Sequence, residues 1–339
     1  NNIFEQINSH HNGHGCVITG KSGNNLVLNS DFHHNQDPLT TLKYNNADGL
    51  EICYIPAGLT NTVRGCRFWW NTDDGIDLWQ NDGLVVIENC WSWNNGYIPD
   101  TSTPAGNGNG FKLGITTIDY GTKNLRILRN CVASNNRARG FDQNNALCSI
   151  ELYNNTAFQN GTNGYVMDYM GIVCTVKNCI SFNNVIAPAL SINSASMNNA
   201  FSDNDSSTPD RRLSTADFQS LDRSQLALQR NQDGSLPEIE FMHLVSGSDL
   251  IDAGINVGLP FNGNAPDIGA FETPQSVVVV NQPPVVTISS PMKSAYFTSP
   301  ALITIDAVAS DPDGSIIKVE FFQGSVKIGE IVKAPYTIS

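Results

Sequence analysis

At 339 residues the chain is long enough for one large all-β unit or for two ordinary domains. The charge balance is acidic, 19 Lys and Arg against 32 Asp and Glu, which argues against nucleic acid or an anionic membrane surface as partner. Charged residues make up only 15%, no apolar run is long enough to span a bilayer, and Asn, Gly, Ser and Thr are abundant. This composition points to a β-rich secreted protein, and the start at Asn1 without a signal-like stretch predicts a processed or trimmed piece.

From the amino-terminal end a unit of about 22–26 residues recurs, as in INSHHNGHGCVI, LNSDFHHN, RGCRFWWNTDDGIDL, ENCWSWNN, RNCVASNNRARGFDQ, NNTAFQNGTNGYVM and KNCISFNN. Aligned on a small or Cys residue, the anchor column is Ser9, Ser30, Cys66, Cys90, Cys131, Thr156 and Cys179. Asn8, Asn29, Asn89, Asn130, Asn155 and Asn178 precede it, and Asn35, Asn71, Asn95, Asn136, Asn160 and Asn183 follow four to five residues later. Each unit holds short β-branched or aromatic segments separated by Asn and Gly, with no helix-period stretch between them. This predicts an all-β right-handed parallel β-helix, one coil per repeat, with Asn side chains stacked and hydrogen-bonded at the corners. The longer intervals before Cys66 and Cys131 carry inserted loops, 36–47 and 97–108. Most cysteines fall in one inward column. Coils stacked about 4.8 Å apart hold their Cβ atoms wider than a disulfide prefers, so free core thiols are expected.

A second column reads residue, Gly, apolar strand start: His14-Gly15-Cys16, Asp48-Gly49-Leu50, Asp74-Gly75-Ile76, Asn109-Gly110-Phe111, Arg139-Gly140-Phe141 and Asn163-Gly164-Tyr165. The glycine is expected to allow the tight corner. Strand alternation then sends Glu51, Asp77, Lys112 and Asp142 outward on four successive coils, beside a corner strip of Asp48, Asp74, Asn109 and Arg139.

Residues 201–246 are less regular, with a helical piece expected around STADFQSLDRSQLALQ, and 247–272 reads as a closing cap of the β-helix domain 1–272. TPQSVVVVNQPP, 273–284, reads as a linker. The alternating strands and SDPDG turn of 285–339 resemble a bacterial immunoglobulin-like module, giving a partial β-sandwich.

A lone Asp at a solenoid corner is usually a turn former. Asp73, Asp74 and Asp77 within five positions, with Asp48 in register one coil earlier, are harder to explain that way. Like charges this close repel, and a hard cation that takes oxygen ligands removes the problem, so Ca²⁺ is the expected cofactor. From the column alone Lys112 is either a salt-bridge partner of Asp77 or Asp142 or a catalytic group. Arg139 is either a structural partner of Asp142 or a carboxylate binder, and Glu51 is a supporting ion-pair group.

At NADGLEI, NTDDGIDLW and GNGNGFKLG the chain resembles the polysaccharide lyases of family 9, calcium-dependent pectate lyases, in order from about residue 5 to 190. The resemblance implies that Asp48, Asp73, Asp74 and Asp77 hold calcium and that Lys112 is the catalytic base. It further implies β-elimination on an acidic polysaccharide such as pectate, an alkaline optimum, and a secreted enzyme, expected to be a monomer with no nucleic-acid or membrane partner. Arg139 is then a substrate-binding residue, and Trp69, Trp70, Trp79 and Trp93 are candidates for stacking on sugar rings. The rival enzyme is a hydrolase of the polygalacturonase kind. Against it, His14 precedes the Asp cluster, no Arg-x-Lys follows, and hydrolysis needs a protonated acid rather than clustered carboxylates. The non-enzymatic rival is a carbohydrate-binding solenoid stabilised by calcium.

Overall fold

The computed structural model describes residues 2–191, 195–201, 213–274, 283–311 and 314–339. Residues 1–275 and 276–339 form separate compact units. In the first, short strands stack into three parallel sheets that among the described residues hold eight, eight and seven strands, each of the first seven coils giving one strand to each sheet of a right-handed β-helix. The second unit pairs Val285–Ser290, Ile305–Ser310 and Tyr336–Ile338 antiparallel, beside a hairpin of Val319–Gln323 and Val326–Ile331, around Ala307, Val319 and Phe321. The expected linker largely lies outside the described residues.

Two left-handed corners shape each coil. Gln6, Asn29, Gly65, Asn89, Asn130, Asn154, Asn178 and Asn198, with φ between 47° and 63°, turn the chain from the first sheet into the second. His11, His34, Trp70, Asn94, Asn135, Gln159 and Asn183 turn it out of the second at φ of 52–58°. Asn fills many of these positions because its short side chain tolerates the left-handed region.

The inward column is therefore Ser30, Cys66, Cys90, Cys131, Asn155, Cys179 and Asn199, so the expected register slips by one residue at Thr156 and by two at Ser9, where Ile7 pairs with Ser30. The carboxamide ladder runs from Asn35 through Asn71, Asn95, Asn136 and Asn160 to Asn184 rather than Asn183, with side-chain bonds of 2.8–3.0 Å. All eight cysteines are free. Phe111, Phe141 and Tyr165 stack inside at 4.9 Å.

The 213–274 segment is not a closing coil. It carries 3-10 turns at Thr215–Asp217 and Arg223–Ala227 and no long strand. Phe218, Leu226, Phe241, Met242, Leu244, Leu250 and Ile268 cover the outer face of the second sheet, where Trp91, Trp93, Val132, Phe158, Ile180 and Phe182 would otherwise be wet. Its 247–272 portion is tied to the corners of the coils, Asn154 Nδ2 donating to Asp267 O and Ile255 N to Asn178 Oδ1. An apolar outer face needs a cover, which decides this placement.

Candidate functional site

The third sheet keeps the register read from the Gly column: Cys16, Leu50, Ile76, Phe111, Phe141 and Tyr165 are successive partners, and so are Glu51, Asp77, Lys112 and Asp142. The glycines are required by close approach and not by a positive φ. A Cβ at Gly15, Gly49, Gly75, Gly110 or Gly140 would fall 2.1–2.8 Å from a carbonyl oxygen of the next coil. The chain N-terminal to each strand thus lies nearly backbone to backbone, and the corner residues before the glycines are pressed together.

Asp48, Asp74 and Asp77 each offer a carboxylate oxygen within 4.8 Å of the others. The Asp74 N–H donates to Asp48 Oδ1 at 2.9 Å, and Asn109 donates its N–H and its carboxamide to Asp74 Oδ1 at 2.6 and 2.9 Å. Lys112 Nζ lies 2.8 Å from Asp77 Oδ2 and 3.0 Å from Asp74 Oδ2. Asp73 stands outside this tight group. It accepts the Asn107 N–H, and the 36–47 and 97–108 insertions meet over it, since a Cβ at Gly106 would lie 2.5 Å from Asp73 Oδ1 and 2.2 Å from Tyr44 O. Arg137 Nη1 holds the second insertion through Gly106 O and Asn107 O, at 2.8 and 3.1 Å. Asn107 was not among the residues singled out from sequence. Its signal was the GNGNG run that fixes its position.

The strip faces away from the coil interior yet is nearly closed off: Asp77, Lys112 and Asp142 are 5%, 8% and 3% exposed. Burial and neighbouring carboxylates push Asp48 well above the usual carboxylate range, Asp73 up to about 8 and Asp77 up to about 7, despite Lys112. Burial alone would lower the Lys112 ammonium. The charges of Asp74, Asp77 and Asp48 override it and hold Lys112 protonated. Asp77 Oδ1 is buried without a partner, and Asp74 Oδ2 is buried with only the Lys112 ammonium beside it.

Arg139 Nη1 pairs with Asp142 Oδ2 at 2.8 Å while its side chain stays 41% exposed, and both line a cleft with Lys112, Asn109 and Asn163. The aromatic candidates divide. Trp69 is sandwiched between His33 at 4.1 Å and Trp93 at 4.9 Å, so neither ring face is open to a sugar. Trp93 is buried, and Trp70 meets Tyr97 edge-on. These three belong to the second sheet and its corner. Trp79, half-buried two residues beyond Asp77, is the candidate next to the strip.

Residues 1–186 match the family model of the Pel9A-like right-handed β-helix region, and 284–339 match a bacterial Ig domain. Pectate lyase L of Dickeya chrysanthemi is 41% identical over 80% of this chain and 61% of its own length. Pectate lyase PEL9 of Emericella nidulans is 32% identical over 74% and 63%. The crystal structure of pectate lyase Pel9A superposes with a TM-score of 0.67 at 35% identity, over 80% of this chain and 65% of that one. A rhamnogalacturonan lyase structure does so with 0.62 at 29%, over 73% and 63%. The chain spans about three fifths of the length of the two Dickeya pectate lyase L proteins it matches. It belongs to the Pel9A-like β-helix family.

Proposed function

We propose that this member of the Pel9A-like family is a secreted polysaccharide lyase that cleaves a polyuronate such as pectate by calcium-assisted β-elimination. The observation that carries the reading is the Lys112 amine held against two buried carboxylates, Asp74 Oδ2 and Asp77 Oδ2, with the second oxygen of Asp77 buried and unpaired. The donor set is all oxygen, and clustered buried carboxylates with one oxygen unpaired fit a hard divalent cation. Asp48, Asp73, Asp74 and Asp77 would hold calcium. Bound there, it would draw electron density from a uronate carboxylate, so that the sugar C5–H becomes more acidic.

Lys112 acts as the base at Nζ. With Asp74 and Asp77 neutralised by their ligand, the attraction that keeps its proton is removed, and burial favours the free amine. The amine takes the C5 proton, the C5–H electron pair forms the C4–C5 double bond, and the C4–O bond breaks with its electrons on the leaving sugar. Arg139, anchored on Asp142 and otherwise exposed, binds a neighbouring uronate carboxylate. A base that must be deprotonated favours an alkaline optimum.

Incubation with pectate, read by absorbance of the unsaturated uronide, tests the reaction class. The lyase gives absorbance that stops with chelator and returns with calcium. New reducing ends without absorbance would mean a hydrolase, and neither signal would mean a binding solenoid.

A further inference from the structure

The solenoid repeats its side-chain geometry by one coil, and the carboxylate corner is itself repeated. Asp48, Asp74 and Asp77 are the corner residue of one coil, the corner residue of the next, and the strip residue of that next coil. His14, Asp48 and Glu51 occupy the same three places one coil toward the amino terminus. The register makes the equivalence explicit: the Gly15 and Gly49 N–H groups bond Asp48 O and Asp74 O at 2.9 and 3.1 Å, and Glu51 is the strand partner of Asp77. In both triplets the ligand atoms lie within 4.8 Å of one another.

The second triplet shows the marks of an unfinished site. His14 Nε2 stands 3.7 Å from Glu51 Oε2, outside hydrogen-bond length, and His14 Nδ1 is buried with no partner. The surrounding charge supports it too. Asp48, Glu51, Asp73, Asp74 and Asp77 face a single ammonium, Lys112, so one divalent ion leaves the corner negative. We propose that His14, Asp48 and Glu51 form a second divalent-cation site, sharing Asp48 with the all-oxygen corner. One imidazole and two carboxylates select an ion of the manganese or zinc kind over calcium. If the lyase reading holds, this ion offsets negative charge along the groove where a polyanion must lie.

The probe is Mn²⁺ titrated into the whole chain with excess Ca²⁺, read by calorimetry and by pulsed electron paramagnetic resonance. The expected result is one bound Mn²⁺ per chain with an imidazole nitrogen coupling. His14→Ala should remove the coupling and weaken Mn²⁺ by about tenfold or more, and Glu51→Gln should weaken it with the coupling kept. Circular dichroism and retained Ca²⁺ binding serve as folding controls. Absence of Mn²⁺ binding in the unmodified chain, or unchanged affinity in both variants, overturns the site. The readout is independent of turnover: an inactive chain that binds Mn²⁺ in this way keeps the site and loses the lyase reading.

Discussion

Two corners of the same coil meet the stacking problem in opposite ways. At the carboxamide corner, Asn71, Asn95 and Asn136 sit fully buried, and each side chain donates to one neighbour while accepting from another. At the carboxylate corner the coil repeat stacks Asp74 on Asp48 and brings Asp77 of the same coil beside them, but anions can only accept, and Asp77 Oδ1 is left buried without a partner. The first corner is complete within the protein. The second is not, and the proposed calcium site rests on that difference.

Exchanging the character of the corners breaks the comparison most sharply. Asp74→Asn keeps the Oδ1 acceptor that Asn109 uses, so metal-free stability should hold or rise, while turnover falls by about 10³-fold as the cation is lost. Asn95→Ala should do the reverse. It leaves the Asn71 N–H and carboxamide without their acceptor, costing about 3 kcal/mol in denaturant unfolding, with activity per folded molecule unchanged.

A pH titration sharpens the contrast at lower amplitude. Asp73 and Asp77 are raised to about 8 and about 7, so the folded metal-free chain keeps protons that the unfolded chain loses near the ordinary carboxylate value. Stability therefore falls as pH rises from about 6.5 to 8, lowering the melting temperature by several degrees, and calcium should cancel the slope. His33, pushed down to about 4, is neutral throughout that window. The smallest effect is expected at the rim. Arg139→Ala should raise KM about fivefold with kcat little changed, because its partner Asp142 stays on the strip.

The third sheet was legible because Gly occupies every corner where coils touch, so Gly15 to Gly164 set the register without ambiguity. The Cys column was less so. Asn154 and Asn155 both match the pattern, and only the left-handed φ of Asn154 tells which is the corner. The first coil misled in the same way, since Ile7-Asn8-Ser9 imitates Leu28-Asn29-Ser30 while the turn is made at Gln6. The Trp residues could not be sorted by alternation. Whether an outward face is wet depends on a segment more than a hundred residues later, whose Phe218, Leu226 and Phe241 close over Trp93 and its neighbours.

The central claim, a lysine base beside a cation-holding carboxylate corner, is tested most directly by Lys112→Ala with turnover and Ca²⁺ binding measured on the same preparation. The account predicts a loss of about 10²–10⁴-fold in formation of unsaturated product, with Ca²⁺ affinity retained or increased because the competing ammonium is gone. Turnover within a few-fold of the unmodified chain would contradict it.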